Sequence, residues 1–338
     1  MLKRILSALL LVIFILGIIY FIGPKPATPH LNGSLPELPN SADSIEQFVS
    51  QHEAAYKIKQ DNEARIVWQD STHQKTPYSI VYLHGFSASQ KEGDPVHRYL
   101  AQKYGCNLYL SRLNEHGLQG EESLLNMTAD GLWEDAKTAL AIGKRLGDKV
   151  ILVSTSTGGT LALLLAARFP KDVYALVNMS PNIAINQPMV ELADNHWGLI
   201  LIQAVKRSKY NENNPVDPLQ AQYWQTKYRL EAVTELESLV ENSMTDKTFQ
   251  AIHQPCLSLY YYKNEQEQDP TVKVSAIIEM NRKLATPDSL KAAVPIPGAG
   301  SHVMGCSYTS KDIPAVEHTI DSFMIHTLKF HPLPKPGS

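Results

Sequence analysis

Three side chains spread along this chain have the types needed for nucleophilic acyl chemistry: Ser156, Asp269 and His302. Residues 149–168 read Lys-Val-Ile-Leu-Val-Ser-Thr-Ser-Thr-Gly-Gly-Thr-Leu-Ala-Leu-Leu-Leu-Ala-Ala-Arg. An apolar, β-branched run enters a turn of small residues with Ser156 at its apex, and a helical pattern follows. A serine raised on such a strand–turn–helix presents its hydroxyl above a sheet, where a base can take its proton as it attacks an acyl carbon. The flanks of that turn need little side-chain bulk, because backbone segments approach closely there. Gly158 satisfies this on one side; on the other, Ser154 stands where glycine is usual. A serine in a tight strand-to-helix connection can also do no more than cap the helix, so the assignment requires partners.

The base is expected on a loop after the last strand. Residues 298–305, Gly-Ala-Gly-Ser-His-Val-Met-Gly, place His302 among small residues that let a loop fold back over a sheet. His318 and His326 fall on a closing helical pattern, and His196 falls in a helical insertion. The acid is expected after the preceding strand, where Lys-Asn-Glu-Gln-Glu-Gln-Asp-Pro-Thr-Val offers Glu265, Glu267 and Asp269. Asp269 is preferred because it directly precedes Pro270-Thr271-Val272, which reads as a helix start and a rigid mount. An oxyanion site needs two backbone N–H groups. The amide of Thr157, after the nucleophile, and that of Phe86, in the His84-Gly85-Phe86-Ser87 turn after a buried strand, are the candidates.

These groups need a sheet to hold them. Strand patterns at 64–69, 78–83, 107–110, 150–153 and 173–177 alternate with helical patterns at 44–60, 95–104 and 129–146 and with the helix after Ser156. That alternation predicts a mainly parallel sheet covered on both faces. It stops over residues 183–250, where no clear strand is read and helical patterns occupy 196–207, 218–228 and 230–240. It resumes with a strand at 256–262, a helix at 272–284, a strand at 291–295 and a helix at 314–329. The insertion reads as a cap over the sheet's active edge.

With the order Ser156, Asp269, His302 on this framework, the chain resembles the α/β-hydrolase superfamily. Within it the likeness is to lysophospholipases, monoacylglycerol lipases and serine-aminopeptidase-like hydrolases. Leu83-His84-Gly85-Phe86, Glu115-His116-Gly117 in the place of that group's Gly-His-Gly, and Trp133-x-Asp135 carry it further. The departures are Ser154 and Glu115. The resemblance spans about residues 64–328. It implies a doubly wound, eight-stranded-type sheet with a helical cap, hydrolysis through an acyl-enzyme, and no metal or other cofactor.

The remaining features bound the setting. A net charge of −3 gives no electrostatic reason to expect nucleic acid. Cys106, Cys256 and Cys306 have no metal-like spacing and read as buried thiols, with one bridge as the alternative if the domain lies in an oxidising space. Residues 5–23 carry no charge and as a helix would extend about 28 Å, close to the hydrocarbon thickness of a bilayer. Lys3 and Arg4 before them predict a single-pass span with a cytoplasmic N-terminus and an exported catalytic domain. The alternative is a signal peptide removed on secretion, but Pro-Lys-Pro-Ala-Thr-Pro after Gly23 offers no small-x-small cleavage site.

The expected organisation is a transmembrane helix over 1–23, a proline-rich extended tether over 24–43, core at 44–182 and 251–331, a cap at 183–250, and a frayed tail at 332–338. A membrane-proximal domain, and the apolar stretch at 197–205 where it lines an acyl tunnel rather than simply packing the cap on the core, favour a monoglyceride, a lysophospholipid or a short acyl ester as substrate. An aminoacyl amide is the second choice and would need acids to hold a free amine, with Glu191, Asp194 and Glu231 available in the cap. A weakly active binding protein on the same scaffold is the third.

Overall fold

The computed structural model describes residues 2–213 and 218–334. The unbroken apolar run at 80–83 is fully buried, as a strand covered on both faces requires. It belongs to β2 (Thr76–Leu83), which comes after β1 (Arg65–Val67) and precedes β3 (Asn107–Leu110), β4 (Gly147–Thr155) and β5 (Val173–Met179). After two short strands, β6 (Tyr210–Glu212) and β7 (Lys227–Arg229), come β8 (Cys256–Tyr260) and β9 (Lys291–Pro295). The main sheet has seven strands in the order β1-β3-β2-β4-β5-β8-β9, with β1 antiparallel at one edge and every other pairing parallel.

Strand side chains alternate between two cores. Val81, Leu83 and Leu152 face one, together with Trp133 and Leu140 of α4 (Ala129–Leu146) and with α5 (Thr157–Arg168). Ile80, Tyr82 and Val153 face the other, with Val96 and Leu100 of α3 (Val96–Tyr104). Ahead of these helices lie α1 (Leu2–Phe21) and α2 (Ala42–Ala54). Between β5 and β8 the chain forms α6 (Gly198–Lys206), α7 (Pro218–Tyr223), α8 (Glu231–Ser243) and α9 (Asp246–Gln250). Beyond β8 come α10 (Val274–Lys283), on the first face, and α11 (Ile313–Ser322), on the second. The result is a doubly wound, mainly parallel α/β sheet with a largely helical insertion.

Among the described residues the sheet has seven strands, not eight. The insertion is not free of strands, because β6 and β7 pair antiparallel. Three residues each are too few to show a period of two. The pattern at 218–228 is helical only to Tyr223 and then turns into β7. Asp269 does not open a helix directly; α10 begins five residues later, at Val274.

The proline-rich segment after α1 is not a free tether either. Leu31 and Leu38 are buried against the domain. The Asn32 carbonyl accepts from Trp133 Nε1 at 2.8 Å, and the Leu38 carbonyl accepts from Arg145 at 2.8 Å. Two apolar side chains and unpaired backbone carbonyls give this extended segment something to bind. Of the tail, 332–334 is irregular, and 335–338 lies outside the described residues. So do residue 1 of the N-terminal helix and 214–217 of the insertion.

Among the described residues α1 contains the one segment, Lys3–Phe21, long and apolar enough to cross a membrane, and it is not buried against the rest of the chain. All three cysteines are free and buried.

Candidate active site

β4 delivers the chain to Ser156, whose backbone sits at φ 52°, ψ −117°, outside the regions a side-chain-bearing residue prefers. Four hydrogen bonds hold it there. The Ser156 N–H donates to the Met179 carbonyl (3.0 Å), and the Ser156 carbonyl accepts from Gly159 (2.8 Å), Thr160 (3.4 Å) and Asn182 (2.9 Å). The hydroxyl makes no capping bond to α5, so the simple helix-cap role is not the one Ser156 plays.

Gly158 must be glycine. A Cβ there would lie 2.0 Å from the Leu83 carbonyl oxygen, a backbone atom that cannot swing away. Ser154, at the glycine-like position on the other flank, is accommodated because its hydroxyl donates to Asn178 Oδ1 of β5 at 2.8 Å.

His302 and Asp269 meet. His302 Nδ1 donates to Asp269 Oδ2 at 2.7 Å, and Asp269 Oδ1 accepts from the backbone N–H groups of Thr271 (2.8 Å) and Val272 (3.1 Å). A short turn after the acid therefore does the fixing that a helix start was expected to do. Burial works against the charge of Asp269, but His302 and those two amides outweigh it and hold the carboxyl below its ordinary range. Burial likewise opposes a charged His302, yet Asp269 and Glu92 together raise it above the ordinary imidazole value. The Ser180 hydroxyl donates to the His302 carbonyl at 2.8 Å and ties the histidine loop to the end of β5. Glu265 and Glu267 are exposed and engaged elsewhere, Glu265 with the Tyr262 hydroxyl (2.9 Å) and Glu267 with Lys263 (2.9 Å).

Two buried histidines shape the loop that carries Phe86. His84 Nδ1 donates to the Gly85 carbonyl (2.9 Å) and its Nε2 accepts from the Leu113 N–H (3.0 Å). His116 Nδ1 donates to the Asn114 carbonyl (2.7 Å) and its Nε2 accepts from the Ser87 N–H (2.9 Å). Each ring thus spends one donor and one acceptor, the pattern of a neutral imidazole. Burial pushes His84 well below its usual value and His116 down to about 4, consistent with that state. The braced loop leaves the Phe86 N–H, like that of Thr157, without a hydrogen-bond partner among the described residues.

Ser156, Thr157, Phe86 and His302 all line one cavity of about 580 Å³, roofed by the insertion. Apolar side chains such as Val190, Leu201, Ile202, Val233 and Leu236 make up much of its wall. A separate depression of about 620 Å³ between α2 and residues 56–66 lies away from these groups.

One cavity-lining residue had no sequence signal. Glu92, in a 3₁₀ turn at Gln90–Gly93, is buried and accepts from the Gly85 N–H at 2.5 Å. A Cβ on Gly85 would lie 2.9 Å from both its carboxylate oxygens and from Ser156 Cβ, so carboxyl and serine flank the same glycine. Burial raises it to about 7, against the opposing pull of the Gly85 N–H and His302. The acids considered for holding an amine do not line the cavity. Glu191 pairs with Lys273 (2.6 Å) and Glu231 with Arg229 (2.5 Å), while Asp194 lies beside Glu241.

A family model described as serine aminopeptidase, S33, matches residues 74–256. A sequence comparison with curated proteins finds no match. Among solved structures, the chain is similar to that of two metagenome-derived lipolytic enzymes, LipS and LipT, with a TM-score of 0.62 and 14% identity over 79% of this chain and 99% of the other. It is similar to the monoacylglycerol lipase of Paleococcus ferrophilus, with a TM-score of 0.57 and 15% identity over 78% of this chain and 97% of the other. It is also similar to Est1E of Butyrivibrio proteoclasticus with ferulic acid bound, with a TM-score of 0.53 and 15% identity over 79% and 95%. At these identities the likeness is one of fold.

Proposed function

Since the chain belongs to the serine aminopeptidase S33 family of α/β-hydrolases, we propose that it is a membrane-anchored serine hydrolase that cleaves carboxylic esters through an acyl-enzyme. The observation that carries this reading is that His302, paired with buried Asp269 at 2.7 Å, lines the same cavity as the strained Ser156.

The chemistry comes from the donors and acceptors present. Ser156 Oγ attacks the ester carbonyl carbon while His302 Nε2 takes its proton, and charge develops on the carbonyl oxygen. The Phe86 and Thr157 N–H groups receive that oxyanion; one such donor is commonly worth about 10²–10³ in rate. Collapse breaks the bond to the alcohol, which leaves with the proton from His302. Water then attacks the acyl-serine by the same route, releasing the acid and restoring the Ser156 hydroxyl. Asp269 keeps the His302 proton on Nδ1, so that Nε2 is free to accept.

The apolar wall of the cavity suits an acyl chain, and a monoglyceride, a lysophospholipid or a short acyl ester fits this lining. An aminoacyl amide is less well served. Among the described residues Glu92 is the lone carboxyl in the wall; it is committed to the Gly85 N–H, and its raised value keeps part of it neutral near pH 7. In this reading α1 stays uncleaved as the anchor, with Lys3 and Arg4 on the cytoplasmic side and the hydrolase domain exported.

The direct experiment is labelling with a fluorophosphonate probe. Wild type is expected to label and Ser156→Ala not to label. Equal labelling of both would remove Ser156 as nucleophile, and a folded wild type that does not label would leave a binding protein on a hydrolase scaffold. Among substrates, p-nitrophenyl acyl esters are expected to turn over faster than aminoacyl amides.

A further inference from the structure

The end of α1 is fastened to the insertion at the very point where α6 begins. The Trp197 indole N–H donates to the carbonyls of Ile19 (3.0 Å) and Tyr20 (3.1 Å), and its backbone N–H donates to the Pro24 carbonyl (2.8 Å). His196 Nδ1 lies 2.7 Å from the Gly23 carbonyl, and its ring meets Tyr20 and Phe21 edge-on. Gly23 admits this contact, since a Cβ there would fall 2.0 Å from Trp197 Nε1. The indole thus satisfies the Ile19 carbonyl at the helix end and shares the Tyr20 carbonyl with the Gly23 N–H (3.1 Å). Trp and Tyr at this junction are also the residue types that gather at a membrane–water boundary.

Beyond Trp197 the surface is apolar and uncovered. Ile200, Leu201 and Val205 of α6 are 47%, 43% and 65% exposed, and Met189 and Leu192 beside them are 58% and 43% exposed. Lys206, Arg207 and Lys209, all exposed, stand at the far end of α6. An apolar stripe ending in cations suits a helix lying in the boundary between acyl chains and headgroups, where the cations can meet lipid phosphates. The stripe also reaches the active cavity, because Met189, Leu201 and Val205 line it together with Ser156 and His302.

We propose that α6 and the Met189–Leu192 turn lie in the outer interface of the bilayer that α1 spans, and that the cavity opens there to receive a single-chain lipid ester directly from the membrane. The occupant of the exposed stripe is the lipid surface itself. α1 commits the junction to the bilayer, and the stripe continues from that junction without a break. The substrate half of this proposal rests on the hydrolase reading; the surface half rests instead on the reading of α1 as an uncleaved anchor.

The test uses the full chain reconstituted in phosphatidylcholine vesicles. Because Cys106, Cys256 and Cys306 are buried, an Ile200→Cys variant can be labelled selectively with an environment-sensitive fluorophore, with Ile278→Cys on α10 as the control. Brominated acyl chains are expected to quench the label at 200 and not at 278. Absence of quenching at 200 overturns the surface, whether or not the protein hydrolyses anything.

For the route, Leu192→Asp with Ile200→Asp changes two exposed positions that do not line the cavity. Hydrolysis of a monoacylglycerol presented in vesicles is expected to fall about tenfold, the scale of one to two kcal/mol of lost apolar contact. Hydrolysis of soluble p-nitrophenyl butyrate is expected to stay unchanged. No loss on vesicles, or an equal loss on both substrates, overturns the route. Loss of fluorophosphonate labelling by wild type would instead overturn the hydrolase reading, and the quenching result would stand apart from it.

Discussion

His302 stands within reach of two carboxyls in different states. Asp269 is held below the usual range by His302 and two backbone amides despite its burial, so it is charged at neutral pH. Glu92 is pushed up to about 7 by burial and is only partly charged there. Both favour the protonated imidazole, so the activity of wild type should rise with pH through a midpoint above the ordinary histidine value. In Asp269→Asn the Asn oxygen can keep the Thr271 and Val272 bonds, which turns its NH₂ toward His302 Nδ1. That forces the proton onto Nε2, where it blocks acceptance from Ser156. We expect a loss in kcat of about 10³–10⁴, with the residual activity rising at a lower pH than in wild type. pH–rate profiles on a soluble ester measure both effects. Unchanged activity in this variant, with the loss appearing in Glu265→Gln or Glu267→Gln, would move the acid to the neighbouring position.

The strand–turn–helix at β4 and α5 shows which parts of the site are legible in a sequence and which are not. Small residues around Ser156 announce a crowded turn, and a glycine-flanked histidine after the last strand announces a loop able to fold back. That Asp269 and His302 meet was readable from their places after consecutive strands. Partners on neighbouring strands were not. Ser154 reads as a departure from a pattern until Asn178 of β5 is placed beside it. Glu92 sits in Gln-Lys-Glu-Gly, which looks like solvated charge, and only the fold brings it against Gly85. The segment around Leu31 and Leu38 hides among prolines for the same reason, since Trp133 and Arg145, which bind the Asn32 and Leu38 carbonyls, lie about a hundred residues away. The element-level test contrasts the two flanks of the elbow. Gly158→Ala drives a methyl into the Leu83 carbonyl, and should cost about 2–3 kcal/mol of stability and abolish fluorophosphonate labelling. Ser154→Gly gives up one hydrogen bond and should keep its labelling. Thermal melts beside labelling gels decide it, and a well-labelled Gly158→Ala would mean that the turn is looser than the Leu83 contact implies.

Taken whole, the molecule buries carboxyls in places that have nothing to do with catalysis, and this sets how its stability depends on pH. Burial raises Asp135 and Glu237 to about 7, as it does Glu92. A carboxyl whose folded value lies above its unfolded one binds protons more tightly in the folded state. Its contribution is therefore fully present below the unfolded value, near 3.8 for Asp135 and 4.5 for the two glutamates, is lost as pH rises through the folded value near 7, and changes no further above that. Asp269 runs the other way: its contribution is present above the unfolded value and lost as pH falls through the depressed folded one. Together these favour greatest stability on the acid side of neutrality.

Glu237 isolates the effect. It lies on α8 away from the cavity wall, its Oε2 has no hydrogen-bond partner among the described residues, and Glu241, Asp194 and Glu191 add to the raising influence of burial. Glu237→Gln removes the charge while nearly preserving shape. We expect it to stabilise the full chain in detergent by about 1–3 kcal/mol at pH 8 and to leave it almost unchanged at pH 5. An equal gain at both pH values would mean that glutamine merely packs better there. No gain at pH 8 would mean that the carboxylate already finds solvent in the folded protein, and the acid-side optimum would then have to come from Glu92 and Asp135.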